Sequence, residues 1–237
     1  MTPSGILLDF NGVLVDDEPL HCRALQGVLR RHGLELTEEE YWDRYLAYDD
    51  RESFRIAFAN HGLRPGEGAV PPLERLLHEK LVLYLELLGD APPYFPGAVE
   101  VVRTLSKNFR LALVSGARRI EIEKILQYEN LTGIFQTIVA SDDVKHSKPD
   151  PESYLLALER LSASPSEFIA VEDSLGGIRA AKAAGLDVVA VTHTYPRSRL
   201  ESETPFVLDN IRELPDFFSR RFSAPNEASR SKKKPLG

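Results

Sequence analysis

Four short segments of this 237-residue chain carry side chains that can do chemistry. In Leu7-Leu8-Asp9-Phe10-Asn11-Gly12 an apolar run ends on a carboxylate and turns at once on Asn-Gly. In Leu113-Val114-Ser115-Gly116 a small hydroxyl follows an apolar run, and Lys148-Pro149-Asp150-Pro151 places a cation where a helix opens. Val171-Glu172-Asp173-Ser174 ends a further apolar run on two carboxylates, with Gly176-Gly177-Ile178-Arg179-Ala180-Ala181 after it. Transfer of a phosphoryl group needs such types: a nucleophile, charge neutralisation and positioning. A carboxylate can attack phosphorus and split one hard step into two. Each residue also has a plainer reading. Asp9 can be a turn former, Ser115 the cap of a helix starting near Arg118, Lys148 a solvated loop cation, and Asp173-Ser174 a helix cap. Their joint order, each at an expected strand end or helix start, favours a site.

These segments need a scaffold that gathers strand ends. Apolar runs with the length and β-branched content of buried strands lie at 5–9, 110–114, 137–139, 168–171 and 188–191. Helical spacing separates most of them: Val99, Val101, Val102 and Leu105; Ile120, Ile122, Ile125 and Leu126; Tyr154, Leu155, Leu158 and Leu161. Such alternation predicts βαβ units and a parallel sheet. Continuously apolar strands predict burial on both faces. The fold class expected is α/β, a doubly wound parallel, Rossmann-like sheet. Ligands bind beyond the carboxyl ends of such strands.

The alternation breaks after the first strand. Helical patterns at 19–32, 37–46, 50–61 and 71–88 come next with no strand between them, and Thr37-Glu38-Glu39-Glu40 has the form of a capping box. A four-helix cap is expected over 16–92, inserted into a core of 1–15 and 93–222. Residues 223–237, rich in Ser, Lys and Arg and poor in apolar side chains, read as a disordered tail with Lys232-Lys233-Lys234 solvated.

Apolar residues make up 43% and charged residues 27% of the chain, ordinary for a globular protein. The net charge of -7 argues against a general nucleic-acid binder. It leaves an anionic substrate open, because a bound metal and a few local cations invert the field at a site. The single cysteine, Cys22, permits no intrachain disulfide and fits a reducing compartment, where it reads as core. With no leader pattern and no apolar run near about 18 residues, a cytoplasmic protein without signal peptide or membrane span is expected. The sequence does not distinguish a monomer from a dimer.

Taken in order, the four segments resemble the signatures of the haloacid dehalogenase-like hydrolase superfamily, and they span Leu7 to Gly185. The helical insert resembles the small α-helical cap of its β-phosphoglucomutase and phosphoglycolate phosphatase branch. The resemblance implies a phosphatase, a phosphoric monoester hydrolase. It would act on a small phosphorylated metabolite, a sugar phosphate or related acid, through an aspartyl-phosphate. It implies Mg²⁺ as cofactor. Asp9 is then the nucleophile, and the metal ligands are the carboxylates of Asp9 and Asp173, the backbone carbonyl of Asn11, and Glu172 directly or through water. Ser115 and the Gly116 amide would hold the phosphoryl oxygens, and Lys148 would pair with the phosphate and the nucleophile. On the cap, Glu18, His21 and the Tyr48-Asp49-Asp50-Arg51 segment would face substrate, with Arg51 binding an anionic or sugar group. The plainer alternatives are that Asp50 caps a helix, Arg51 is solvated and His21 packs near the hinge.

One position departs from the pattern. The first signature usually reads Asp-x-Asp-Gly, and its second Asp protonates the leaving oxygen and then activates water. Here that position is Asn11. A neutral amide does neither. General acid–base catalysis contributes about 10²–10⁴-fold, so the expectation is an intact site that turns over slowly. Another group can supply the proton, with Asp16, Asp17, Glu18 and His21 close in sequence. Alternatively the substrate carries a good leaving group, or catalysis is lost and phosphate binding kept. A β-phosphoglucomutase-like phosphomutase is the alternative enzyme.

Overall fold

A computed structural model describes residues 3–46 and 48–222. The expected tail over 223–237 lies outside the described residues. Six parallel strands form one sheet: β1 (Gly5–Leu8), β2 (Arg110–Val114), β3 (Phe135–Val139), β4 (Phe168–Glu172), β5 (Asp187–Val191) and β6 (Phe206–Leu208). Their order is β3-β2-β1-β4-β5-β6. Side chains alternate across it, as the pleat requires. Ile6, Leu8, Leu113 and Val171 enter one apolar layer, and Leu7, Ala112, Val114 and Ala170 the other. The helices α5 (Ala98–Leu105), α6 (Arg119–Tyr128) and α9 (Leu214–Phe222) cover the first face. The helices α7 (Glu152–Leu161) and α8 (Leu175–Ala183) cover the second. This is the doubly wound α/β arrangement that the strand pattern predicts. Each fully buried Leu, Ile or Val contributes about 1.5–3 kcal/mol.

Four helices stand between β1 and α5: α1 (Glu18–Arg31), α2 (Glu38–Arg44), α3 (Asp50–Ala59) and α4 (Leu73–Leu88). They share their own apolar cluster, including Leu25, Val28, Phe54, Phe58 and Leu76. Thr37 and Glu40 close the capping box at α2: the Thr37 hydroxyl accepts from the Glu40 N–H at 3.1 Å, and the Glu40 carboxylate from the Thr37 N–H at 3.4 Å. The two chain crossings between these helices and the sheet are tied together. The Asp16 N–H donates to the Pro93 carbonyl at 2.7 Å and the Phe95 N–H to the Leu14 carbonyl at 2.9 Å. Among the described residues no helix is long and apolar enough to cross a membrane.

Candidate active site

The sheet order reverses at β1, and the chain leaves β1, β2 and β4 on the same edge. Sheet hydrogen bonds continue one residue past β1 and β2 and so fix the backbone of Asp9 and Ser115. The Asp9 N–H donates to the Val171 carbonyl at 3.0 Å and the Ser115 N–H to the Val139 carbonyl at 2.9 Å. The Gly116 N–H beside it makes no backbone hydrogen bond among the described residues, as a phosphoryl-oxygen donor would require. Lys148, from the loop after β3, ends at the same edge. Its Nζ lies 3.1 Å from Asp9 Oδ1, 2.7 Å from Glu172 Oε1 and 2.9 Å from the Val114 carbonyl. Asp173 completes the cluster.

Oxygens of Asp9, Glu172 and Asp173 lie within 4.8 Å of one another, and all three residues are buried. Among the described residues Lys148 is the only cation paired with them, so the cluster lacks positive charge. Burial and the Glu172 charge push the Asp9 carboxyl up to about 7, against the pull of Lys148. Burial and the charges of Asp9 and Glu172 push Asp173 well above the carboxylate range. A divalent cation would fill this deficit. The hard oxygen donors suit Mg²⁺, and among the described residues no protein donor takes the Asn11 carbonyl.

Glu172 is the most heavily hydrogen-bonded of the three. Fully buried, it accepts from Lys148 at 2.7 Å and from the Tyr154 hydroxyl at 2.5 Å on Oε1, and from the Asp173 N–H and Ser174 hydroxyl at 3.3 Å each on Oε2. Four protein donors, Lys148 among them, thus engage its two oxygens. Tyr154 shows in the sequence only as a core position of α7. Its hydroxyl has no signal there.

The carboxylates set a pH dependence. In the folded, metal-free protein Asp9 titrates near 7 instead of 3.8, so the folded state holds protons that the unfolded chain has released. Its contribution to stability is therefore fully present below about pH 4 and is lost as pH rises through about 7. In EDTA, Tm should fall from about pH 6 to about pH 8, and the Tm gain on adding Mg²⁺ should be larger at the higher pH. Thermal unfolding over that range checks both signs.

Two supports hold Asp173. The Thr194 hydroxyl donates to its Oδ2. Gly12, at φ +75°, packs so closely that an added Cβ would sit 2.0 Å from that oxygen. Substitution G12A should weaken Mg²⁺ binding by about 10–100-fold, the usual effect of disturbing a ligand's support. Titration calorimetry checks it.

Asn11 is locked at both ends. Its Oδ1 accepts from the Ser115 hydroxyl at 3.0 Å, and its Nδ2 lies 2.9 Å from each oxygen of Asp17. Asp17, 1% exposed, also accepts from the Tyr84 hydroxyl at 2.6 Å and faces His21 Nε2 at 3.3 Å. Burial pushes this carboxyl up, but the facing His21 and the hydrogen bonds from His21, Tyr84 and Asn11 outweigh it and hold it below the usual range. The His21 ring stacks on Tyr84 with centroids 4.4 Å apart, and its Nδ1 lies 2.8 Å from Lys80 Nζ. Lys80, buried, pairs with Asp50. Glu121, from α6 of the core, joins His21 and Asp50 within 4.8 Å.

Of the expected cap residues, His21 reaches this cluster. Glu18 accepts from the Tyr41 hydroxyl at 2.5 Å. Arg51 is not brought in: it is exposed and pairs with Glu74 at 3.0 Å, between α3 and α4. Asp50 does not cap α3 either. Asp49 does, accepting from the Glu52 N–H at 2.9 Å, and its other oxygen accepts from the Ser147 hydroxyl of the core at 2.8 Å.

Comparison with known proteins agrees with this geometry. The phosphorylated carbohydrates phosphatase of Thermotoga maritima is 34% identical over 190 residues, 80% of this chain and 85% of that protein. The fructose-1-phosphate phosphatase YqaB of Escherichia coli is 31% identical over 188 residues, 79% of this chain and 96% of that protein. The crystal structure of CbbY from Rhodobacter sphaeroides in complex with phosphate superposes with a TM-score of 0.78 at 27% identity, over 90% of this chain and 96% of that one. The haloacid dehalogenase-like hydrolase model matches residues 6–191, and the chain belongs to that family.

Proposed function

We propose that this protein is a Mg²⁺-dependent phosphatase of small phosphorylated metabolites, with phosphorylated sugars the first candidates. The observation that carries the reading is the contact of Lys148 with Asp9 inside a buried cluster of three carboxylates at the strand ends. Asp9 is the nucleophile, and Asp9, Asp173 and the Asn11 carbonyl would hold the metal. Mg²⁺, when bound, would neutralise phosphoryl charge. The Gly116 N–H and, on releasing Asn11 Oδ1, the Ser115 hydroxyl would hold phosphoryl oxygens, and Lys148 would offset the charge that develops on them. The helices of 16–92 act as a cap that excludes water. The names of the two phosphatases support sugar phosphates as the substrate class.

A mutase would have to grip a second phosphate. Arg51 is spent on Glu74 and Lys80 on Asp50, which favours the phosphatase. With hexose 1-phosphate the expected product is therefore free phosphate and not an isomerised sugar phosphate. The test of the main reading is phosphate release from a panel of sugar phosphates in Mg²⁺ and in EDTA. Release that persists at the same rate in EDTA would overturn it.

A further inference from the structure

Resting on that phosphatase reading, we infer that the site prefers phosphates whose leaving group departs without a proton. These are acyl phosphates, phosphates of acidic hydroxyls and, among sugar phosphates, anomeric 1-phosphates, whose hemiacetal hydroxyl is more acidic than an alcohol; simple alkyl phosphates should be much poorer. The inference stands on where the protons around Asn11 already point. The Ser115 hydroxyl donates to Asn11 Oδ1, and the Asn11 amide donates to Asp17. Asp17 is ringed by donors, the Asn11 amide, the Tyr84 hydroxyl and His21, so it acts as an acceptor on every side. His21 has one nitrogen against Asp17 and the other against Lys80. His193, at the Gly12 turn, donates from Nδ1 to the Gly12 carbonyl at 2.8 Å. Lys148 is spent on Asp9, Glu172 and the Val114 carbonyl. The protons of Ser115, Asn11, Tyr84, His193 and Lys148 are aimed at fixed protein acceptors, His21 is held between Asp17 and Lys80, and none of these groups is left free to turn to a leaving oxygen.

The chemistry balances without an acid. An Asp9 oxygen lone pair forms the new bond to phosphorus. The bond from phosphorus to the leaving oxygen breaks, and its electron pair leaves with that oxygen as an anion. An acidic leaving group is stable in that form and an alkoxide is not. Water then attacks the phosphorus of the aspartyl-phosphate. The Asp9 carboxylate departs, itself a leaving group that needs no proton, and the proton of the water passes to solvent. The same geometry says why a carboxylate at position 11 alone is a poor remedy: it would stand against Asp17. The exchange has to be made at both positions.

The experiment is a leaving-group series: acetyl phosphate, p-nitrophenyl phosphate, phenyl phosphate and glycerol phosphate, with Mg²⁺, on wild type and on N11D/D17N. In wild type, kcat/KM should fall along the series by about 10²–10⁴-fold more than in the double exchange, the range that a general acid supplies. The wild-type series decides alone should the double exchange fail to fold. Glycerol phosphate turned over by wild type within about tenfold of p-nitrophenyl phosphate would overturn the inference, since an acid such as Glu121 would then be at work, while the phosphatase reading stood. No phosphate released from any member, and no phosphoryl group found on Asp9 after acetyl phosphate, would overturn both.

Discussion

Substitution D9N should lower phosphate release by about 10⁴-fold or more, the order seen when the group that forms the covalent bond is removed. The amide keeps the shape of the side chain but offers no oxygen able to form an acyl phosphate. It should also make the metal-free protein more stable. Burial and the Glu172 charge hold Asp9 up to about 7, so above that pH its charge is carried at a cost. The neutral amide removes that cost. The Tm gain with Mg²⁺ should shrink at the same time, because one ligand charge is gone. Activity assays and thermal unfolding in EDTA and in Mg²⁺ give the three readouts. Loss of activity with an unchanged metal-free Tm would place Asp9 outside the charged cluster. Retained activity would remove it as the nucleophile.

The part of the site legible in the sequence is the part that the backbone determines. Asp9, Ser115 and Asp173 each sit where an apolar run stops, and a strand that stops at the sheet edge delivers the next side chain to the site. The Thr37 capping box is local in the same way and forms at α2. The illegible part depends on side chains that meet from distant elements. Tyr154 has helical core spacing, and nothing in that spacing says that its hydroxyl ends on Glu172. Lys80 is one more helix cation until α3 brings Asp50 to it. Strand β6 is three half-buried residues at an edge and gives little pattern.

The inserted helices show how one residue of register matters. Asp49, and not Asp50, caps α3. Successive residues of a helix differ by about 100° in direction. Asp50 therefore turns in to Lys80 and Arg51 turns out to Glu74. Asn11 is the reverse case. Its type is legible and its partner is not, because only the fold sets Asp17 against its amide.

Lys148 joins activity and stability, and the two should separate on mutation. K148M leaves Glu172, fully buried, without its ammonium partner. Breaking a buried pair from one side costs about 3–5 kcal/mol. Activity should fall by about 10²–10³-fold, as for loss of a preorganised charge aimed at the transition state. Adding E172Q to K148M removes the stranded charge. The Tyr154 hydroxyl can still donate to the amide oxygen, so most of the lost stability should return while activity stays low. The coupling is the difference between the double variant and the sum of the singles, and contact pairs show about 0.5–3 kcal/mol. K148R should rescue neither property. The three acceptors, Asp9, Glu172 and the Val114 carbonyl, surround a point charge, and a flat guanidinium fork meets such an arrangement badly. Denaturant unfolding and phosphate release on wild type and these variants decide it. If E172Q restored activity along with stability, Lys148 would serve only to neutralise Glu172. If it restored neither, Asp9 would be the partner that needs the ammonium, with Glu172 only aiming it.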